Sequence, residues 1–382
     1  MVSATLTVLW LAAAWLLWRT EVPEDLHTPA LSAAAVFGAG QIARSERYAR
    51  LLRVDLVLET VAQLLVLVWL ARRRLQLRGP ALLRAAGLGA IVYVALWLVR
   101  LPFALASLWW EHRHGVTHLG ALDLVAGDWV GVLAGIALAA TAAVVVVGFA
   151  RAFGRRWWLA AWAALVALAF AWTLVTPYLA PRLEPLHDRE LTTAIQSLAR
   201  REGLGPTEVE VQRTRSRSRE VNAEAVGAGP TTKVILWDTL LRPGVSRGEV
   251  LIVSAHELAH VARRHVLKGV GWFALLALPC AWVLARTTRL ADPAEVPRAA
   301  LVAALLALAL LPLANTISRR YEREADWIAL RTTNDPAADV AIMRRFQRTS
   351  LVDPEPPRLW HLIVGTHPTL LERVELARSW PR

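Results

Sequence analysis

Residues His256-Glu257-Leu258-Ala259-His260 spell H-E-x-x-H. On a helix the two histidines stand one turn apart and point the same way. Imidazoles so placed can grip one Zn2+, and the intervening Glu257 can work on a water in the metal's open position. A catalytic zinc takes three protein ligands, so the third must come from elsewhere. Downstream stands Ser318-Arg319-Arg320-Tyr321-Glu322-Arg323-Glu324-Ala325-Asp326. If this run is helical, Glu322 and Asp326 share a face and Glu324 turns away. Glu322 would then ligate, while Asp326 accepts a hydrogen bond from a ligand imidazole. The competing reading is a charged helix end carrying surface ion pairs.

The elements that must position these groups are legible around them. Ser246-Arg247-Gly248-Glu249 is a capping-box start, followed at once by the apolar run Val250 to Val253. Upstream, Leu191 to Arg201 reads as an amphipathic helix, and Glu208 to Val211 alternates like a strand. Arg213 to Arg219 alternates Arg with Ser or Thr, as a solvated loop or edge segment. Val221 to Gly227 and Lys233 to Trp237 read as two strands joined by a Gly-Pro turn, and Asp238-Thr239 as a cap on the next segment.

The rest of the chain is of another kind. Hydrophobic residues make up 55% of the 382 and charged ones 19%, too apolar for an ordinary soluble protein. The apolar residues gather into seven blocks: Val2–Trp18, Val54–Leu70, Leu82–Leu108, Trp129–Phe149, Trp157–Leu179, Val266–Ala285 and Ala299–Ala314. A polar connection, Arg19 to Arg53, separates the first two. Glu59 and Gln63 interrupt the second block at helical spacing and should face a bundle interior. Arg100 and Pro102 should kink the third block or end it early, and Pro181 and Pro185 close the membrane part. Many of the 18 tryptophans flank these blocks, as in an interfacial aromatic belt.

The net charge is +12, and lysine occurs only at Lys233 and Lys268. The arginines are scattered between apolar blocks, which suits lipid head groups better than nucleic acid, and no nucleic-acid motif is present. The arginine skew points to a GC-rich bacterial genome. The single cysteine, Cys280, excludes an internal disulfide and a cysteine-based zinc knuckle. His112, His114 and His118 match no metal-ligand spacing.

Together these motifs resemble the membrane zinc metalloproteases of the CAAX prenyl protease 1 type, related to bacterial HtpX. The resemblance covers most of the chain from about residue 95. It is carried by His256 to His260, with Ala259 where the family has glycine, and by Ser318-Arg319 through Glu322 to Ala325-Asp326. Further matches are Asn222-Ala223, Asp238-Thr239-Leu240, His367-Pro368 with Arg373, Leu101-Pro102-Phe103, and Glu111 to Gly115.

The resemblance implies that His256, His260 and Glu322 bind one zinc ion and that Glu257 is general base and then acid. Asn222 and His367 would hold the substrate backbone and the developing oxyanion, with Asp326 and Arg373 in support. Glu224 departs from the family, which usually has an aromatic there. The fold expected is mainly α: a polytopic membrane protein with about seven transmembrane helices enclosing a water-filled chamber. A small α+β zincin-like unit is inserted between helices five and six and completed by the C-terminal segment. The expected divisions are 1–180, membrane helices one to five; 181–265, the soluble insert; 266–317, helices six and seven; and 318–382, the C-terminal catalytic segment.

The activity expected is zinc-dependent endopeptidase cleavage of membrane-associated or C-terminally processed substrates. The partners are a peptide or protein substrate and the lipid bilayer, with no obligate protein partner. The expected setting is a bacterial plasma membrane with the active site toward the cytoplasm. The alternatives are an HtpX-like quality-control protease and an inactive membrane scaffold.

Overall fold

The computed structural model describes residues 2–125, 129–179 and 183–381. Pro181 and the expected boundary at 180/181 lie outside these. Helix α1 (Val2–Trp18) leads through a short α2 (Ala33–Phe37) to the hairpin of α3 (Ala39–Arg73) and α4 (Ala81–His114). A short α5 (Ala121–Val125) precedes α6 (Trp129–Phe153) and α7 (Trp157–Val175), between which the chain turns at Gly154 with φ +52°. Then come β1 (Leu183–Pro185), α8 (Arg189–Arg201), β2 (Glu208–Gln212), β3 (Ala223–Val226), β4 (Lys233–Trp237) and α9 (Arg247–Ala262). The chain continues through α10 (His265–Thr287), α11 (Val296–Thr333), α12 (Pro336–Ser350), α13 (Arg358–Val364) and α14 (Leu370–Arg378).

Five stretches among the described residues are long and apolar enough to cross a membrane: α3, α4, Gly131–Tyr178, α10 and Pro293–Thr333. The third of these contains both α6 and α7, and the apolar part of α1, Thr7–Trp18, is shorter. These helices leave Leu9, Trp69, Leu83, Leu138, Trp172 and Trp282 exposed. Apolar surface on that scale belongs against lipid rather than water.

The helices reach beyond the apolar blocks of the sequence. Arg44 to Arg50 is not a polar connection but the start of α3, which begins at Ala39. Arginine, alanine and leucine are good helix formers, so the span continues beyond its apolar part; there Tyr48 packs on Val116 and Leu351. Of the two readings at Pro102, a kink or an early end, the early end does not occur: α4 passes through Pro102, the long helical run on either side outweighing one lost hydrogen bond. Helix α11 runs unbroken from the seventh apolar block through Glu322 to Thr333.

The soluble unit packs around α9. Leu258 and Ala255 on α9, Ile195 on α8, Leu236 on β4, Ile342 on α12 and Val374 on α14 are fully buried in one core. Each large side chain of this kind contributes roughly 1.5–3 kcal/mol by leaving water. The sheet order is β1-β2-β4-β3, with β2 and β4 parallel and the outer pairs antiparallel. β1 was not foreseen from the sequence: three residues are too few to carry a period. Strand β3 stands at the sheet edge beside α9. The Trp237 N–H donates to the Asn222 carbonyl, so the hydrogen-bonded pairs with β4 fall on Asn222, Glu224 and Val226. The backbone groups of Ala223 and Ala225 therefore point outward from the edge.

Candidate metal centre and active site

Helix α9 begins as its residues dictate. The Ser246 hydroxyl accepts from the Glu249 N–H at 3.2 Å, and the Glu249 carboxylate accepts from the Ser246 N–H at 2.8 Å. Farther along the helix, Ala259 meets Ala325 and Ile328 of α11, all but inaccessible to solvent. Two alanines at the crossing let the helices approach closely, and this carries Glu322 to the histidines.

His256 Nε2 lies 3.1 Å from His260 Nε2 and 3.2 Å from Glu322 Oε2, and His260 Nε2 lies 3.6 Å from Glu322 Oε1. Zinc ligands at about 2.0–2.1 Å on a tetrahedron stand roughly 3.3 Å apart, so the triangle has the right size. Among the described residues this is the one His/Cys/Asp/Glu group that could hold a metal ion. Its chemistry points the same way. The His256 Nδ1–H donates to Asp326 Oδ1 at 2.9 Å, so that Nε2 faces inward, toward Glu322 and His260. Glu322 Oε2 is buried without a well-aligned donor. Burial pulls the His256 imidazole down, but Asp326 and Glu322 together outweigh it and push it up to about 10. The pocket is built for positive charge, and the residues fit a divalent cation.

The other expected residues assemble around this triangle. Arg373 donates to Asp326 Oδ1 at 2.6 Å, so the carboxylate that orients His256 is itself held. Glu257 faces the cavity, where burial pushes its carboxyl up and the His256 and His260 rings, and then the Ala225 backbone on the β3 edge, pull it partly back. His367 Nε2 lies 3.3 Å from Glu322 Oε2. Its Nδ1 lies 2.9 Å from the Thr366 hydroxyl, which can donate to it and leave the proton on Nε2. Asn222 and Glu224 line the same cavity of about 1010 Å3, and burial pushes the Glu224 carboxyl up.

One expectation fails here. Asp238 caps no helix: its Oδ1 accepts from the backbone of Thr214 and Arg215 and pins the arginine-rich loop. Glu324 turns away from the triangle, and it does so into the interior rather than toward solvent. It is fully buried and accepts from His265 Nε2 at 2.9 Å, a histidine that sequence reasoning missed. A five-residue spacing from His260 to His265 was its one signal, and it matches no ligand pattern. The ring of His114 packs between Trp110 and Tyr48, and His112 bonds to the Leu119 carbonyl, so neither joins a metal group.

Residues 185–381, which hold every one of these site groups, match the model of peptidase family M48. The chain belongs to peptidase family M48. It is similar to the uncharacterized metalloprotease YhfN of Bacillus subtilis (strain 168), at 28% identity over 59% of this chain and 57% of that protein. It is also similar to CAAX prenyl protease 1 of Saccharomyces cerevisiae, at 33% identity over 28% of this chain and 24% of that protein. The matches thus span little more than half of one curated relative and a quarter of the other. The crystal structure of S. mikatae Ste24p shares the fold with a TM-score of 0.78 over 98% of both chains at 20% identity. This M48 protein is therefore a mainly helical, multi-pass membrane protein of a peptide-hydrolysing metallopeptidase family.

Proposed function

We propose that this chain is a zinc metalloendopeptidase acting on membrane-associated peptide or protein substrates, its metal held by His256, His260 and Glu322. One observation carries the reading: two imidazole nitrogens and a buried carboxylate converge beside Glu257 at the edge of an incomplete sheet. Bound there, zinc would supply Lewis-acid polarisation of the scissile carbonyl and acidify the attacking water.

The chain's own groups do the rest. The substrate adds as an extended strand along β3, its main chain meeting the outward N–H and C=O groups of Ala223 and the C=O of Ala225. Asn222, next along the strand, holds the substrate backbone. Glu257 takes the water's proton on its carboxylate and delivers it to the leaving amine; a carboxyl raised by burial suits both tasks. His367 donates from Nε2 to the developing oxyanion, worth about 3 kcal/mol for a donor of this kind. Arg373, through Asp326, keeps the His256 ring in its ligating orientation.

Glu257→Gln should lower peptide hydrolysis by the purified full chain at least about a hundredfold, with one zinc per chain retained. Near-normal turnover in that variant would refute the mechanism.

A further inference from the structure

The two ligand histidines are supported differently. The Nδ1–H of His256 donates directly to Asp326. His260 Nδ1 meets no carboxylate; it lies 2.9 Å from Nδ1 of His265, the first residue of α10. Two ring nitrogens at that distance share one proton, and the far side of His265 decides whose it is. His265 Nε2 lies 2.9 Å from Glu324 Oε2, and a carboxylate there can only accept. His265 therefore carries its proton on Nε2 and offers a lone pair at Nδ1. That lone pair takes the Nδ1–H of His260, and the lone pair of His260 is left on Nε2, facing His256 and Glu322.

The support is held on every side. Glu324 has no exposed surface and accepts from the Glu21 backbone N–H at 2.7 Å. Arg263 bridges Glu324 to the Glu21 carboxylate, at 3.3 and 2.6 Å. The His265 ring stacks on Tyr321, with centroids 4.6 Å apart and planes within 10°. Tyr321, next to the ligand Glu322, donates to the Leu17 carbonyl at the end of α1.

We infer that His265, oriented by Glu324, is a positioning residue that fixes the tautomer and ring orientation of His260. It would do through one extra imidazole what Asp326 does directly for His256. The inference rests on the metal centre proposed above. It also ties that centre to the segment just after the first helix, since the Glu21 backbone holds the far end of the relay.

The test uses the full chain in detergent micelles, loaded with zinc and challenged with a chromogenic chelator. His265→Phe keeps a ring over Tyr321 but removes the acceptor; zinc release should accelerate about 10- to 100-fold. His265→Asn loses the ring but returns an oxygen near the position of Nδ1; its release rate should stay close to that of the unmodified chain. Zinc held by His265→Phe as firmly as by the unmodified chain overturns the inference, as does equal loss from both variants. A second measurement needs no variant. In the 15N-histidine-labelled chain, His265 should carry its proton on Nε2 and His260 on Nδ1; the reverse tautomer at either ring overturns the inference. An unmodified chain that takes up no zinc overturns the metal centre and this inference with it. One equivalent bound, with the wrong variant pattern, overturns this inference alone.

Discussion

At the scale of single residues, the centre is made of groups that would repel or stand idle without a cation between them. Two imidazole nitrogens face each other at 3.1 Å, and a carboxylate closes the triangle. Glu322 is the ligand whose assignment depended most on the fold, because it lies 62 residues beyond His260 in the sequence. Glu322→Ala should remove most of the bound zinc, measured by metal analysis of the purified chain. Full occupancy in that variant would send the search for the third ligand elsewhere. The Arg373–Asp326 pair should matter in a milder way, since it acts on the ring of His256 and touches no metal position.

At the scale of elements, two helices decide the geometry. Helix α9 starts where its capping box says, and that start sets the phase with which His256, Glu257 and His260 face the cavity. Glu249 serves the box and also takes Arg345 of α12 in a forked pair at 2.7 and 3.1 Å. Burial alone would push this carboxyl up, but Arg345 and the Ser246 groups outweigh it and lower it. Its stabilisation is thus present at neutral pH and is lost as pH falls through the carboxylate range. Ser246→Ala removes one half of the box and should cost about 1 kcal/mol, seen as a lower unfolding midpoint in detergent with zinc content unchanged. A variant as stable as the parent would mean that Arg345 alone holds the helix start. Helix α11 is the other decisive element: one uninterrupted rod carries Glu322 and Asp326 from the membrane into the site.

At the scale of the whole molecule, the short connections gather at the end opposite the metal. Leu75 and Leu77 after α3, Trp157 at the α6–α7 turn and Leu290 before α11 pack into one cluster. Arg213 and Arg289 are both exposed: Arg289 adjoins Leu290 of this cluster, where α4 begins, and Arg213 belongs to the loop that meets the chain just past the other end of α4 through the Thr117–Ser218 bridge. Orientation in the membrane can be read from them. In a Cys280→Ser background, with the metal face toward the cytoplasm, an impermeant maleimide should label Arg289→Cys in intact cells. Arg213→Cys should react only after permeabilisation. The opposite pattern would reverse the orientation.

How much could be read in advance differs by interaction range. The metal helix, its cap, the long apolar helices and strands β2 and β4 follow from periodicity and local propensity, which act within a few residues. That Glu322 and Asp326 share a helix face was likewise local. Fold pairings were not. That β3 stands at the edge, with Ala223 and Ala225 facing outward, depends on the sheet order. That Ala259 meets Ala325 depends on a helix crossing. That Glu324 is buried, and that it reaches His260 only through His265, depends on the segment after α1 meeting α9, α10 and α11 at one point. The sequence by itself determined which residues could hold a metal. Only the tertiary structure decided which groups hold those residues, because a buried carboxylate takes whatever donors the packing brings to it.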